Sequence, residues 1–359
     1  MLEHGGRLRA AAQRYGIPLG DWLDLSTAIA PEPWPLPPMA VEAWARLPED
    51  DDGLSEAACA CYGAAHALPV AGSQAAIQAL PQLLPPCRVG VLEPSYAEHA
   101  QAWQRAGHQL VRLAAVDIER RLDSLDVLVL ANPNNPSGEL FAAEQLLDWH
   151  ARLYARGGCL LVDEAFMDCT PEFSVAAHAD KPGLIVLRSF GKFFGLAGVR
   201  LGFVLAEAAL LELLAERLGP WAVSGPARTL GIQALAESSA AARRLRGLRL
   251  QAAGQRLAQL LAAHGLQPDG GTALFHWLRT PRAAELHDFL ARRGILVRLF
   301  SEPASLRFGL PADEAGWQRL TQALADPDRP GRRDFDRDPG GTGWQSIADK
   351  SAPTGKEFS

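Results

Sequence analysis

The chain has 359 residues, 48% hydrophobic and 21% charged. This is enough to bury the cores of two domains, and the balance suits neither a disordered chain nor a membrane protein. A formal net charge of -6 argues against a broad cationic footprint for nucleic acid and leaves small anionic ligands to local basic pockets. Cys59, Cys61, Cys87, Cys159 and Cys169 form no CxxC pair, which points to reduced thiols in a cytoplasmic protein.

Residues 1–38 read as an N-terminal helix followed by an arm, with proline and glycine punctuating Pro31–Pro38. The start mixes Glu3, Arg7, Arg9 and Arg14 and does not read as a signal peptide. No later segment reaches the ~20 uninterrupted apolar residues that a bilayer span requires. Over 39–224, short apolar runs alternate with amphipathic stretches, the pattern of a mostly parallel sheet covered by helices. The strand candidates are Arg88–Leu92, Gln109–Leu113, Asp126–Ala131, Cys159–Asp163, Gly183–Leu187 and Leu201–Leu205, and the helix candidates include Ser73–Leu84, Tyr96–Ala106 and Ala142–Arg156.

After a stop at Gly219-Pro220, a long helical run, Gly225–His264, leads into a smaller α+β unit that ends near residue 327. Its strands are predicted at Thr272–Leu278, Gly294–Phe300 and Ser305–Leu310, with helices Arg282–Arg293 and Asp313–Ala325. From Asp326 onward the chain is rich in Asp, Arg, Gly and Pro with little apolar periodicity, so residues 328–359 are expected to be a disordered tail.

Four separated segments carry chemistry. Ser189-Phe190-Gly191-Lys192, continuing to Arg200, is glycine-rich and follows a buried strand; its single lysine sits among apolar neighbours, where desolvation lowers an amine's pKa and makes it nucleophilic near neutrality. Ser189 and Arg200 flank it as donors suited to a phosphate. Taken alone, such a turn is more often a surface loop. Asn132-Pro133-Asn134-Asn135-Pro136-Ser137-Gly138 and Asp163-Glu164-Ala165-Phe166 each end a strand, and ligands of open α/β sheets bind beyond the carboxyl ends of the strands. Gly72-Ser73-Gln74 opens a helix after Leu68–Ala71, which suits backbone N–H groups aimed at an anion.

Together, over about residues 20–325, these motifs resemble the fold-type-I pyridoxal-phosphate (PLP) aminotransferase superfamily. The resemblance implies an α/β, fold-type-I PLP-dependent transferase fold: a large, mostly parallel-sheet domain with a smaller α+β C-terminal domain. It implies that Lys192 bonds the cofactor, that Asp163 pairs with the pyridinium nitrogen, and that Asn135 bonds the 3-hydroxyl oxygen. Tyr96 would stack on the ring, and Ser73, Gln74, Ser189 and Arg200 would form the phosphate cup. A carboxylate beside the ring nitrogen keeps it protonated, so the ring can accept electrons from a broken bond. No metal is implied.

Further residues narrow the comparison. His4-Gly5-Gly6 precedes a helix and Leu23-Asp24-Leu25-Ser26; Phe166 stands where related aminotransferases usually place Tyr; Arg298 and Arg307 lie in the C-terminal unit. With these, the chain resembles the L-threonine-O-3-phosphate decarboxylases of cobalamin biosynthesis, close relatives of histidinol-phosphate aminotransferases. The resemblance assigns His4 and Arg298 to a substrate phosphate and Arg307 to a substrate carboxylate, with Asn135 also near substrate. It implies a homodimer acting on a small phosphorylated amino acid, without nucleic-acid or membrane partners. Ala28 and Ala30 replace the Asn common in relatives, and Leu47 a Tyr that reaches the neighbouring subunit, which puts those polar contacts in doubt. The alternatives are an aminotransferase of the histidinol-phosphate type and a non-catalytic regulatory module, against which no helix-turn-helix extension is found. A nicotinamide dehydrogenase would require a GxGxxG fingerprint that is absent.

Overall fold

The computed structural model describes residues 4–331. In chain order the strands are β1 (Leu23–Leu25), β2 (Leu68–Val70), β3 (Arg88–Leu92), β4 (Gln109–Leu113), β5 (Val127–Ala131), β6 (Cys159–Asp163), β7 (Leu184–Ser189), β8 (Gly202–Leu205), β9 (Gly270–Thr272), β10 (Phe275–Arg279), β11 (Ile295–Phe300) and β12 (Ser305–Gly309).

A seven-stranded sheet runs β2-β8-β7-β6-β5-β3-β4. Its five-strand body is parallel, while β8 and β2 join antiparallel at one edge. Both faces are covered, so the central strands are apolar throughout instead of alternating with polar residues. In β5, Val127 and Val129 enter the core beneath the helices Ser73–Ala79 and Ala97–Arg105, whereas Leu128 and Leu130 enter the larger core on the opposite face. The helix Ala143–Tyr154 covers that second face with Leu146, Trp149 and Leu153, a helical stripe at spacings of three and four. The carboxyl ends of β3, β5, β6 and β7 lie along one edge and deliver the Tyr96, Asn135, Asp163 and Lys192 segments there.

The second sheet runs β1-β11-β12-β10-β9. It recruits β1 from the N-terminal arm, where Leu23–Leu25 pairs parallel with Ile295–Val297. The expected single run Gly225–His264 is two helices, Gly225–Leu235 and Ala240–Ala263, broken by a turn at Glu237–Ser239. The second helix carries the chain into this sheet.

The two sheets meet at a glycine seam. A Cβ on Gly270 would stand 2.0 Å from the Ser137 carbonyl oxygen, and one on Gly138 would stand 2.2 Å from that of Gly271. Only residues without side chains allow the Asn135 loop to rest on β9. Residues 326–331 turn back onto the body, and the Arg329 guanidinium is buried, donating to the carbonyls of Leu324 and His264. Residues 328–331, expected to belong to a tail, thus pack on the body, and residues 332–359 of that expected tail lie outside the described residues. Among the described residues, no helix is long and apolar enough to cross a membrane.

Candidate active site

A cleft of about 670 Å³ opens where the strand ends face the second sheet, lined among others by His4, Tyr96, His99, Asn135, Lys192, Arg298 and Arg307. Lys192 reaches it from a four-residue helix, Phe190–Phe193, directly after β7. The loop is fastened through its main chain: the Ala30 N–H donates to the Lys192 carbonyl at 2.9 Å, the Trp34 N–H to the Phe194 carbonyl at 2.7 Å, and Arg246 Nε to the Phe193 carbonyl at 2.7 Å. Burial of the amine, reinforced by the nearby Arg307 and Arg200 charges and opposed by Asp163, lowers the Lys192 pKa to about 8. Phe166 stands close by, its ring centroid 5.9 Å from the amine and 5.1 Å from that of Phe275.

Asp163 is 4% exposed. Its Oδ2 accepts from His99 Nε2 at 2.8 Å and its Oδ1 from the Ala165 N–H at 3.1 Å. Neighbouring Glu164 points to the other face, as adjacent strand residues must. There it binds Arg188, which also bridges to Asp168 at 2.6 Å in a buried network. That acidic residue is structural, whereas Asp163 lies behind His99, which lines the cleft.

The second sheet contributes Arg307. Its guanidinium donates to Asn135 Oδ1 at 2.5 Å and to the Ser26 carbonyl at 2.7 Å, which leaves the buried Nε without a partner among the described residues. Burial and then Arg298 lower its pKa to about 9, so it remains cationic at neutral pH. Arg298 lines the same cleft, its guanidinium 5.1 Å from the Phe300 ring centroid.

The expected phosphate residues converge beside the cleft. Ser189 ends β7 opposite Gly202; a Cβ on Gly202 would lie 2.5 Å from the Ser73 nitrogen, and one on Gly72 would lie 2.6 Å from an Arg200 guanidinium nitrogen. Ser73, Ser189 and Arg200 thus stand together around Gly72 and Gly202, whose missing side chains allow the close approach. Gln74 differs, because its side chain is spent on Glu98 and on accepting the Tyr96 hydroxyl at 3.1 Å; only its main chain remains for the cup. Burial pushes the Tyr96 hydroxyl up to about 12, helped by Glu98 and Asp163. His4 binds Glu98 through Nε2 at 2.8 Å.

Sequence reasoning missed Glu98 and His99. Their signal was available, since they follow Tyr96 by two and three residues, and on a helix the third position returns to the same side.

These residues fit pyridoxal 5'-phosphate: an amine of lowered proton affinity, a buried carboxylate held by an imidazole, and hydroxyl and guanidinium donors gathered around Gly72 and Gly202. Fold and site together define a fold-type-I, PLP-dependent class of enzyme. Residues 52–327 match the model for aminotransferase class I and II, and the chain belongs to that family. It is 63% identical over 324 residues to the threonine-phosphate decarboxylase of Pseudomonas aeruginosa, covering 90% of this chain and 97% of that one. It is 46% identical over 331 residues to a threonine-phosphate decarboxylase of a Sinorhizobium species, covering 90% and 98%. Histidinol-phosphate aminotransferase from Sinorhizobium meliloti, solved with pyridoxal-5'-phosphate, superposes with a TM-score of 0.76 at 21% identity, covering 90% of this chain and 94% of that one.

Proposed function

We propose that this chain is a pyridoxal-5'-phosphate-dependent carboxy-lyase that converts L-threonine O-3-phosphate to (R)-1-amino-2-propanol O-2-phosphate and CO2 in cobalamin biosynthesis. The observation that carries the reading is the 63% identity to a threonine-phosphate decarboxylase across nearly the whole of both chains. The cleft supports it, since one amine and the cations Arg298 and Arg307 share a single lining.

When bound, the cofactor supplies a ring that stores the electron pair left by the departing carboxylate. Lys192 would hold it through an amine that burial keeps reactive. Asp163, fixed by His99 and the Ala165 N–H, would keep a positive charge on the ring nitrogen. Ser73, Ser189 and Arg200 would hold the cofactor phosphate, Tyr96 would cover the ring, and Asn135 would bond its 3-oxygen. Arg307, braced by Asn135 and the Ser26 carbonyl, would hold the substrate carboxylate and so fix which bond to Cα breaks. His4 and Arg298 would take the substrate phosphate. As CO2 leaves, a proton replaces it at Cα, and the Lys192 amine, which lines the cleft, would deliver it.

Phe166 supports decarboxylation over amino transfer, because it stands near Lys192 without a hydroxyl to donate to the ring oxygen. In this reading the chain is a cytoplasmic homodimer. Its five cysteines are all free, and Leu36, Val41, Trp44 and Leu47 form an exposed apolar run on and after the arm that a second copy would cover. The test is incubation of the holoenzyme with L-threonine O-3-phosphate. Equal amounts of CO2 and the amine phosphate, by mass spectrometry, are expected. Formation of a 2-oxo acid that depends on 2-oxoglutarate would make the chain an aminotransferase instead.

A further inference from the structure

Glu98 is a buried carboxylate beside the cleft, and no part in binding cofactor or substrate falls to it. It sits on the helix Ala97–Arg105 with 9% exposure. Its Oε2 accepts from Gln74 Nε2 at 2.9 Å and from Gln78 Nε2 at 3.1 Å, and its Oε1 meets His4 Nε2 at 2.8 Å. His4 lines the cleft and Glu98 does not. The carboxylate therefore lies behind the imidazole, screened by it and by two amides from an anion entering the cleft.

We propose that Glu98 is a positioning residue that grips His4 by Nε2 and so makes Nδ1 the nitrogen offered to an anionic group of the substrate. The inference rests on the reading of a phosphorylated substrate. A carboxylate can only accept, so the hydrogen of the His4–Glu98 bond resides on Nε2. Nδ1 is then a bare lone pair in the neutral ring and a donor only in the imidazolium form. His4 meets Glu98 and Tyr96, and the same cleft is lined by the cations Lys192, Arg298 and Arg307, by the paired Glu93 and Arg112, and by His99 and Glu302. A phosphate at Nδ1 and Glu98 at Nε2 then hold the ring from its two sides, and the phosphate takes its bond from a ring that Glu98 keeps in place.

The substitution Glu98→Gln separates this role from simple packing. The amide can turn its oxygen to Gln74 and Gln78 and its NH2 to His4 Nε2, which reverses the His4 tautomer while preserving shape. The test is nitrogen NMR on holoenzyme labelled with 15N-histidine, the His4 signal being assigned by its loss in His4→Ala. In the wild type with inorganic phosphate bound, the His4 signals should show hydrogen on Nε2 held by Glu98 and on Nδ1 facing the phosphate. In E98Q the ring should rest as Nδ1–H, and inorganic phosphate should bind about tenfold more weakly, the difference between a charged and a neutral donor. KM for L-threonine O-3-phosphate should rise by a similar factor with kcat falling far less, and E98Q should add nothing in a His4→Ala background.

An unchanged His4 tautomer in E98Q would overturn the assignment, as would an equal penalty with and without His4. So would loss of cofactor absorbance with His4 unmoved, which would limit Glu98 to holding Gln74. If the wild type releases no CO2 from threonine phosphate, the functional reading fails, while the NMR and inorganic-phosphate measurements still judge Glu98.

Discussion

The reactivity of Lys192 can be tested by titrating cofactor capture against pH. Its pKa lies at about 8 against an ordinary 10.5, with burial as the main cause and the Arg307 charge next. At pH about 7.5, roughly a quarter of such amines are unprotonated, against about one in a thousand for a free lysine, a gain of about two hundredfold in nucleophile. The neutral amine attacks, so stopped-flow absorbance on apo-protein mixed with pyridoxal 5'-phosphate should show a rate that rises with pH and levels beyond about 8. Arg307→Met removes a cation and should move the midpoint upward. The same shift has a stability consequence with a definite sign. Between the two pKa values the unfolded chain binds more protons than the folded one, so this group makes the apo-protein more stable as pH rises from about 8 to 10.5. Lys192→Met should accordingly be more stable than wild type by about 2–3 kcal/mol at neutral pH, with the advantage fading above pH about 10. A capture rate still climbing through pH about 10 would show that the amine is ordinary and the desolvation argument wrong.

His99→Ala leaves Asp163 Oδ2 without its buried donor; a loss of about 1–3 kcal/mol in stability is expected, together with weaker cofactor retention on dialysis, read from the visible absorbance. Gly270→Ala drives a methyl group into the Ser137 carbonyl and should lower the melting temperature and kcat together, because Asn135 rides on the displaced loop. Arg188→Met strands Glu164, which is fully buried and whose pKa burial already raises; a loss of about 3–5 kcal/mol in chemical denaturation is expected.

The parts of the fold legible in the sequence are those whose cause is local. Arg88–Leu92, Gln109–Leu113 and Cys159–Asp163 match their strands residue for residue because each is an apolar run between polar turns. β1 was not legible: three residues of the arm become a strand only by pairing with Ile295–Val297, far along the chain. β2 contains Pro69, which argues against a central strand, and it lies at the sheet edge where a missing N–H is tolerated. In the site, Lys192, Asp163 and Asn135 announce themselves by linear motifs. Glu98 and His99 do not, since their meaning lies in partners at Gln74 and Asp163 that only the fold supplies. Gln74 shows the converse, a residue in the right motif whose side chain the fold commits elsewhere.

The arm explains how the site tolerates departures that seemed to weaken it. With Ala at positions 28 and 30, the segment lacks the side-chain amides common in relatives, so its polar contacts were in doubt. The contacts are nonetheless there, and they are main-chain: the Ser26 carbonyl accepts from Arg307, and the Ala30 N–H donates to the Lys192 carbonyl. Gly195 admits the same arm, since a Cβ there would stand 2.7 Å from the Glu32 carbonyl oxygen. A contact made by the backbone survives any side-chain change that preserves the local conformation, and the requirement moves from residue identity to dihedral angle. Ala28 bears that requirement at φ 53°, a left-handed conformation that costs an L-residue about 1–2 kcal/mol and that Asn adopts more readily than Ala. The arm thus holds both the lysine loop and Arg307 with main-chain atoms, at the cost of local strain, and this accounts for an intact cleft beside a sequence that has lost its polar markers.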